Sequence, residues 1–326
     1  MTIARFLRMS AHLQLMPVLE SGEETLVGGQ AVMEGVMMRA PHSYCVAVRK
    51  SSGEIVTEEQ AIERVSEKYP WFKLPVLRGL GMLGQAMTLG YRALKFSANA
   101  ALDDGTEKDG QKLEVSSWLM TANLVFSLGF FIFLYKFVPL FLATSLGHAV
   151  PSLSGRFATN MTDGVIRITI FLAFLFLISR MKEIRRVFEY HGAEHKVVFN
   201  FESRQPLSVD NAQKFVTFHP RCGTSFLLVV MIISMCVYTL IPFDSFAMKL
   251  LSRVVLLPVI TGISYELIRF AARRRGSFMA MLTTPGLWLQ RITTKPPSDD
   301  QAAVAIQALE GAMKLEKSQG GQLVIA

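Results

Sequence analysis

The sequence predicts a mainly α, polytopic membrane protein with about four transmembrane helices, a small β-containing N-terminal cytoplasmic unit, and amphipathic or interfacial helices. Three observations carry this reading. Of the 326 residues, 51% are hydrophobic, and the mean hydropathy is +0.34, which is more apolar than an ordinary soluble chain. Residues 115–135 and 222–243 carry no charged side chain, and each is long enough as a helix to cross about 30 Å of hydrocarbon. Lysine and arginine gather between and after the apolar segments, an asymmetry that orients spans.

Taken in order, residues 1–25 begin with two arginines and a weakly apolar stretch that His12, Gln14 and Pro17 interrupt. No small-residue cleavage site follows, so this reads as a retained, poorly ordered extension. The next unit, 26–113, opens with extended structure over 26–60, where Ser51, Ser52 and Gly53 separate two strand-like runs and signal a hairpin. Residues 74–101 then place Leu77, Leu80, Leu83, Met87, Tyr91 and Leu94 on one helical face. Gly79, Gly81, Gly84 and Gly90 weaken that helix, which either lies on the membrane or packs closely on a span. Residues 103–112 are a solvated linker.

The transmembrane domain is expected over 114–272. Two weaker apolar segments, 161–179 and 248–270, accompany the two uncharged ones; the first admits Asp163 and Arg167 near its start, and the second holds Val254 to Tyr265 between Arg253 and Glu266. The loop 180–221 carries eight basic residues and the tail opens with Arg273, Arg274 and Arg275, which puts both regions and both termini in the cytoplasm. The tail, 273–326, is expected to be helical from about Gln301 to Leu315, with Trp288 as an interfacial anchor. The net charge of +8 lies largely in these flanks, so membrane lipids rather than nucleic acid are the expected partners. Cys45, Cys222 and Cys236 imply no disulfide framework.

The chemistry concentrates in EYHGAEHKVV, residues 189–198. Met181, Ile184, Phe188, His191, His195 and Val198 recur at intervals of three and four, one helical stripe on which two imidazoles continue an apolar face. Glu194 lies within reach of both. Two histidines four apart on a helix can share a divalent transition metal, zinc first among them, and a neighbouring glutamate can serve as general base. Two histidines hydrogen-bonded in a packed layer is the alternative. His219 and Cys222 in FHPRCGTSF complete a candidate set of three imidazoles, with Cys222 as fourth ligand or nearby thiol; Cys222 can equally be a nucleophile or a small buried residue. A straight helix from Ser179 would carry His191 about 18 Å from the membrane, so the helix must bend, lie along the interface, or be met by the loop. Glu266, a carboxylate inside the fourth span, is a second catalytic or ligating candidate or else the partner of Arg269. Glu34, flanked by Gly28, Gly29 and Gly35 and followed by Arg39, is either a third candidate or a turn residue with an ion pair.

The stretches VGGQAVMEGVMMRAP, YHGAEHK, HPRCGTSF, SYELIRF and PGLWLQRITT resemble the DUF1385 family of bacterial membrane proteins over residues 26–312. The resemblance implies an integral protein of the bacterial inner membrane with a metal-dependent histidine centre, and it implies no substrate. Two functions follow as expectations. One is a metal-dependent hydrolase acting at the cytoplasmic face on a lipid-linked or membrane-proximal substrate. The other is a non-enzymatic transporter or assembly factor with a structural or regulatory metal site, which with four spans would need a homo-oligomer.

Overall fold

A computed structural model describes residues 27–102, 116–219, 222–273 and 284–318. The expected extension 1–25, the linker 103–112, Pro220, Arg221, Arg274 and Arg275 lie outside the described residues.

Four strands form an antiparallel meander: β1 (Gly28–Val32), β2 (Gly35–Arg39), β3 (Ser43–Arg49) and β4 (Ile55–Ala61), in that spatial order. The β3–β4 hairpin turns where the sequence signals it, with Gly53 at φ 89°. The tighter β1–β2 turn puts Glu34 at φ 52°, a left-handed conformation that a residue with a Cβ adopts at some cost. Gly35 follows it because a Cβ there would meet Val48 Cα at 2.9 Å across the β2–β3 pairing.

Strands β2 and β3 are apolar on both faces because both are covered. Val36, Met38 and Ala47 face one way, against Tyr190, Ala193 and Val197 and against Val304, Ala305 and Leu309. Met37, Val46 and Val48 face the other way, against Leu89 and Ala93. The period of two thus feeds two different cores. The first cover consists of α5 (Lys182–Glu202) and α11 (Asp299–Ser318); the second is α1 (Leu77–Leu102). Helix α11 joins the chain's last described segment to its first sheet: Ser43 Oγ donates to Ala312 O at 2.7 Å, and His42 meets Glu316 through both its backbone N–H and its ring.

A helical layer follows. Helix α2 (Ser117–Ile132), a π-helical turn (Phe133–Phe137) and α3 (Val138–Ala149) run on as one helix of 33 residues. The helix thus includes most of the uncharged stretch 115–135 and runs 14 residues beyond it. Pro139 has no N–H for the carbonyl of Tyr135, and the helix widens at that point instead of stopping. Helix α4 (Arg156–Ile178) is the second helix long and apolar enough to cross a membrane. Helix α7 (Gly223–Leu240) has 18 residues, or about 27 Å of rise, a little short of a full crossing. Helices α8 (Phe246–Val255) and α9 (Leu257–Arg273) meet at 49°, where Pro258 interrupts the backbone pattern; the short helices α6 (Val209–Gln213) and α10 (Thr284–Thr293) precede α7 and α11. Counting that bent pair as one, two to three helices among the described residues have the length and composition of spans, against the four expected.

Helix α1 packs closely on one of these elements, one of its two expected courses. A Cβ on Gly79 would stand 2.8 Å from Tyr265 Cβ and 3.2 Å from Gly262 Cα, so the glycines that weaken α1 as a helix let it approach α9. Inside the helical layer lies a polar knot. Asp163 is fully buried and accepts from both Arg167 and Arg253. Arg167 also donates to Ser234 Oγ at 2.6 Å, and Arg253 to Asn160 Oδ1 at 2.9 Å. Lys136, in the π turn, donates to Tyr238 Oη at 3.2 Å.

Candidate functional site

The chain turns between Ile178 and Lys182, with Met181 extended at φ −73°, ψ 135°, so α5 starts afresh and is no straight continuation of α4. That break supplies the bend that the reach of the histidines requires. Met181 becomes the N-cap and is 52% exposed, outside the buried stripe, while His195 and Val198 are buried and Val187, Phe188, His191 and Glu194 line a cavity of about 360 Å³. The opposite wall comes from residues 28–31 of β1 and from the start of α7.

Helix α5 can carry the site because of Gly192. A Cβ there would fall on the carbonyl of Lys295, whose carbon lies 3.1 Å from that position, and 3.3 Å from Thr217 Cγ2. Two segments therefore lie directly on the helix and offer it carbonyls. His191 Nδ1 meets Thr293 O at 2.8 Å, and His195 Nδ1 meets Thr217 O at 2.5 Å. A carbonyl only accepts, so each Nδ1 carries the proton and each Nε2 presents a lone pair. His191 Nε2 stands 3.3 Å from Cys222 Sγ. The ligand atoms of His191, His195 and Cys222 all lie within 4.8 Å of one another.

Cys222 caps α7 and is 7% exposed, with Thr224 Oγ1 3.0 Å from its sulfur. His219 lines the same cavity beside this trio. Its ring is 5.5 Å from that of His195 and 4.6 Å from that of Phe199, and its Nε2 lies 3.5 Å from Glu202 Oε2. Three of the four expected ligands therefore converge, and His219 directs Nε2 toward a carboxylate. Of the two expected catalytic carboxylates, Glu194 lines the cavity beside β1, where a Cβ on Gly29 would lie 2.9 Å from its Cδ. Glu266 is held elsewhere, by the Arg78 guanidinium and the Val76 N–H, instead of by Arg269. Glu34 takes Arg186 in a two-pronged pair at 2.5 Å, with Tyr190 Oη at 3.4 Å; Arg39 donates to Gln85 instead.

Burial sets the site's protonation. It pushes the Glu194 carboxyl above its ordinary range, opposed by charge at His191 and by the Gly29 N–H. It lowers His195, and it lowers His219 to about 4, so both rings are neutral near pH 7. Neutral imidazoles are the form that ligates metal.

Three supporting residues have no signal in the sequence as read. Gln290 is fully buried and grips His219 both ways: it accepts from His219 N at 2.7 Å and donates to His219 O at 2.7 Å, with Ser225 Oγ at 3.0 Å. Lys196 donates to Gln213 O at 2.7 Å and Phe215 O at 2.6 Å, which fixes the strand of chain that ends in Thr217. Thr293 acts through its carbonyl, and a backbone contact leaves no trace in residue type.

Comparison with known proteins adds a family. The family described as "Protein of unknown function (DUF1385)" matches residues 74–315. A relative from Bacillus subtilis, "Uncharacterized protein YqhQ", is 34% identical over 297 residues, covering 89% of this chain and 92% of its own. No solved structure matches the chain.

Proposed function

The chain belongs to the DUF1385 family, whose name assigns no chemistry, and from the site's own geometry we propose a membrane-bound, metal-dependent hydrolase whose site opens on the cytoplasmic face. The carrying observation is the convergence of His191, His195 and Cys222 within 4.8 Å, with a buried carboxylate lining the same cavity. Two Nδ1–H groups anchored on backbone carbonyls leave the Nε2 atoms as ligands, and a cysteine sulfur completes a donor set suited to zinc. When bound, such an ion supplies Lewis acidity.

Glu194 takes a proton from the attacking water in this reading, with its affinity raised toward the working range by burial. Gly29 presents its N–H to that carboxylate and keeps it ionisable. The apolar walls, Val27, Val187, Val198 and Leu227, exclude bulk water and suit a substrate with a lipid-like portion. Elemental analysis of purified protein tests the reading: about one equivalent of zinc or a similar ion is expected in wild type, with loss in His191→Ala and in Cys222→Ser. Glu194→Gln should keep the metal and fail to restore function to a strain lacking the gene. Wild-type protein without stoichiometric transition metal defeats the reading, and a Glu194→Gln variant that restores function defeats its catalytic part.

A further inference from the structure

The polar knot in the helical layer is unbalanced. Lys136, Arg167 and Arg253 surround the Tyr238 ring, at 5.5, 5.3 and 5.1 Å from its centroid. All three are at most 4% exposed, and both oxygens of Asp163 are engaged by the two arginines. Three basic side chains thus share one carboxylate and one ring. The Tyr238 hydroxyl is also committed, since it accepts from Lys136 and donates to Arg253 O at 3.1 Å. Arg167 Nε is buried and has no hydrogen-bond partner.

Excess charge enclosed among apolar helices is costly unless something offsets it. The aromatic face offsets part of it, since a ring attracts cations without taking up their protons. A donor with no acceptor marks where the remainder is missing. The knot also sits well inside the layer: Arg167 is 11 residues from the start of α4, about 16 Å along its axis, too deep for a headgroup to stay in its leaflet surface. Lys136 lies in a π turn, a local irregularity often found at functional positions.

We propose that this knot is an anion site, taking one small inorganic anion such as chloride between Arg167 Nε and the Lys136 ammonium. It stands apart from the histidine centre and rests only on the reading of these helices as membrane-embedded. Occupancy would make the protein's stability depend on anion identity at fixed ionic strength.

Purified protein in lipid nanodiscs, melted in chloride and in gluconate at equal ionic strength, tests this. Chloride should raise the wild-type melting temperature by roughly 2 °C or more, and Lys136→Met should lose that difference. Equal melting of wild type in the two salts overturns the proposal, as does an undiminished chloride shift in Lys136→Met. Should that variant fail to fold, the chlorine NMR line width of wild type decides: broadening that bromide displaces supports the site, and the absence of such broadening removes it.

Discussion

Replacing Gly192 by alanine probes the packing on which the histidine centre stands. In an open helix interior this change stabilises by up to about 1 kcal/mol. Here the new methyl falls on the Lys295 carbonyl, with that carbon at 3.1 Å and Thr217 Cγ2 at 3.3 Å. Overpacking of this kind costs about 1–3 kcal/mol. Moving the segment away also loosens the bond from Lys295 N to Phe188 O (2.9 Å) and that from His191 Nδ1 to Thr293 O (2.8 Å), at about 1 kcal/mol each. The net expectation is a destabilisation of about 2–4 kcal/mol, read in a thermal melt as a fall of roughly 3–8 °C. Gly84→Ala, at a position on α1 with no atom within 4 Å, is the control and should be neutral or slightly stabilising. If Gly192→Ala melts with wild type or above it, the close approach of the 293–297 segment to α5 is wrong, and with it the orientation of His191.

The other expectations follow from single contacts. Lys196→Met releases Gln213 O and Phe215 O, so Thr217 O loses its aim at His195; zinc affinity, read by competition with a chromogenic chelator, should fall by about tenfold or more, and an unchanged affinity would refute the role. The His42–Glu316 pair makes the docking of α11 depend on pH. Its bond to Glu316 raises the His42 ring above its ordinary 6.5, so its contribution is complete below that value and is lost as pH rises through the raised one. Glu316 is pushed up by burial but pulled lower on balance by the His42 ring, the His42 N–H and Ser43, so the contribution is lost again as pH falls through the lowered carboxyl range. Hydrogen exchange of α11, corrected for intrinsic rate, should slow between these limits in wild type and lose its upper limb in His42→Gln; identical profiles would dismiss the clamp. Glu34→Gly relieves a left-handed backbone at φ 52°, a gain of about 1 kcal/mol, and removes an exposed ion pair worth about 0–1 kcal/mol, so its melt should lie within about 2 °C of wild type. A large loss would assign Glu34 a heavier role.

Much of the site was legible because it is written along one helix. The intervals from Ile184 to Val198 report a buried face, and the rise of a helix left a bend after Ser179, an interfacial course or an approaching loop as the ways to join the histidines, of which the chain takes the bend. Partners across the fold left no such trace. Arg78 and Glu266 are 188 residues apart, so local spacing pointed to Arg269 as the partner. Gln290 and Thr293 act on backbone or through it, where side-chain identity carries little information. Extended structure over 26–60 and the hairpin at Gly53 were legible, but the coverage of both sheet faces was not, because the covers come from α1, α5 and α11, which periodicity cannot assign. Among the spans, hydropathy located the apolar stretches and missed how Pro139 and Pro258 redistribute them, one by widening a helix and the other by breaking one.

The sheet is made from residues 28–61 and is closed by a helix beginning at Asp299. During synthesis, at about 5–20 residues per second, the strands emerge some tens of seconds before their cover, while every apolar helix of the chain passes in between. The face built from Val36, Met38 and Ala47 must wait uncovered for that interval. Assembly of the histidine cluster is therefore a late event, since Thr293 and Gln290, which orient His191 and His219, arrive with the same final segment. A chain stalled before that point would hold its apolar helices and lack the segment that orients His191 and His219, so the helical layer and the histidine cluster are separable in time.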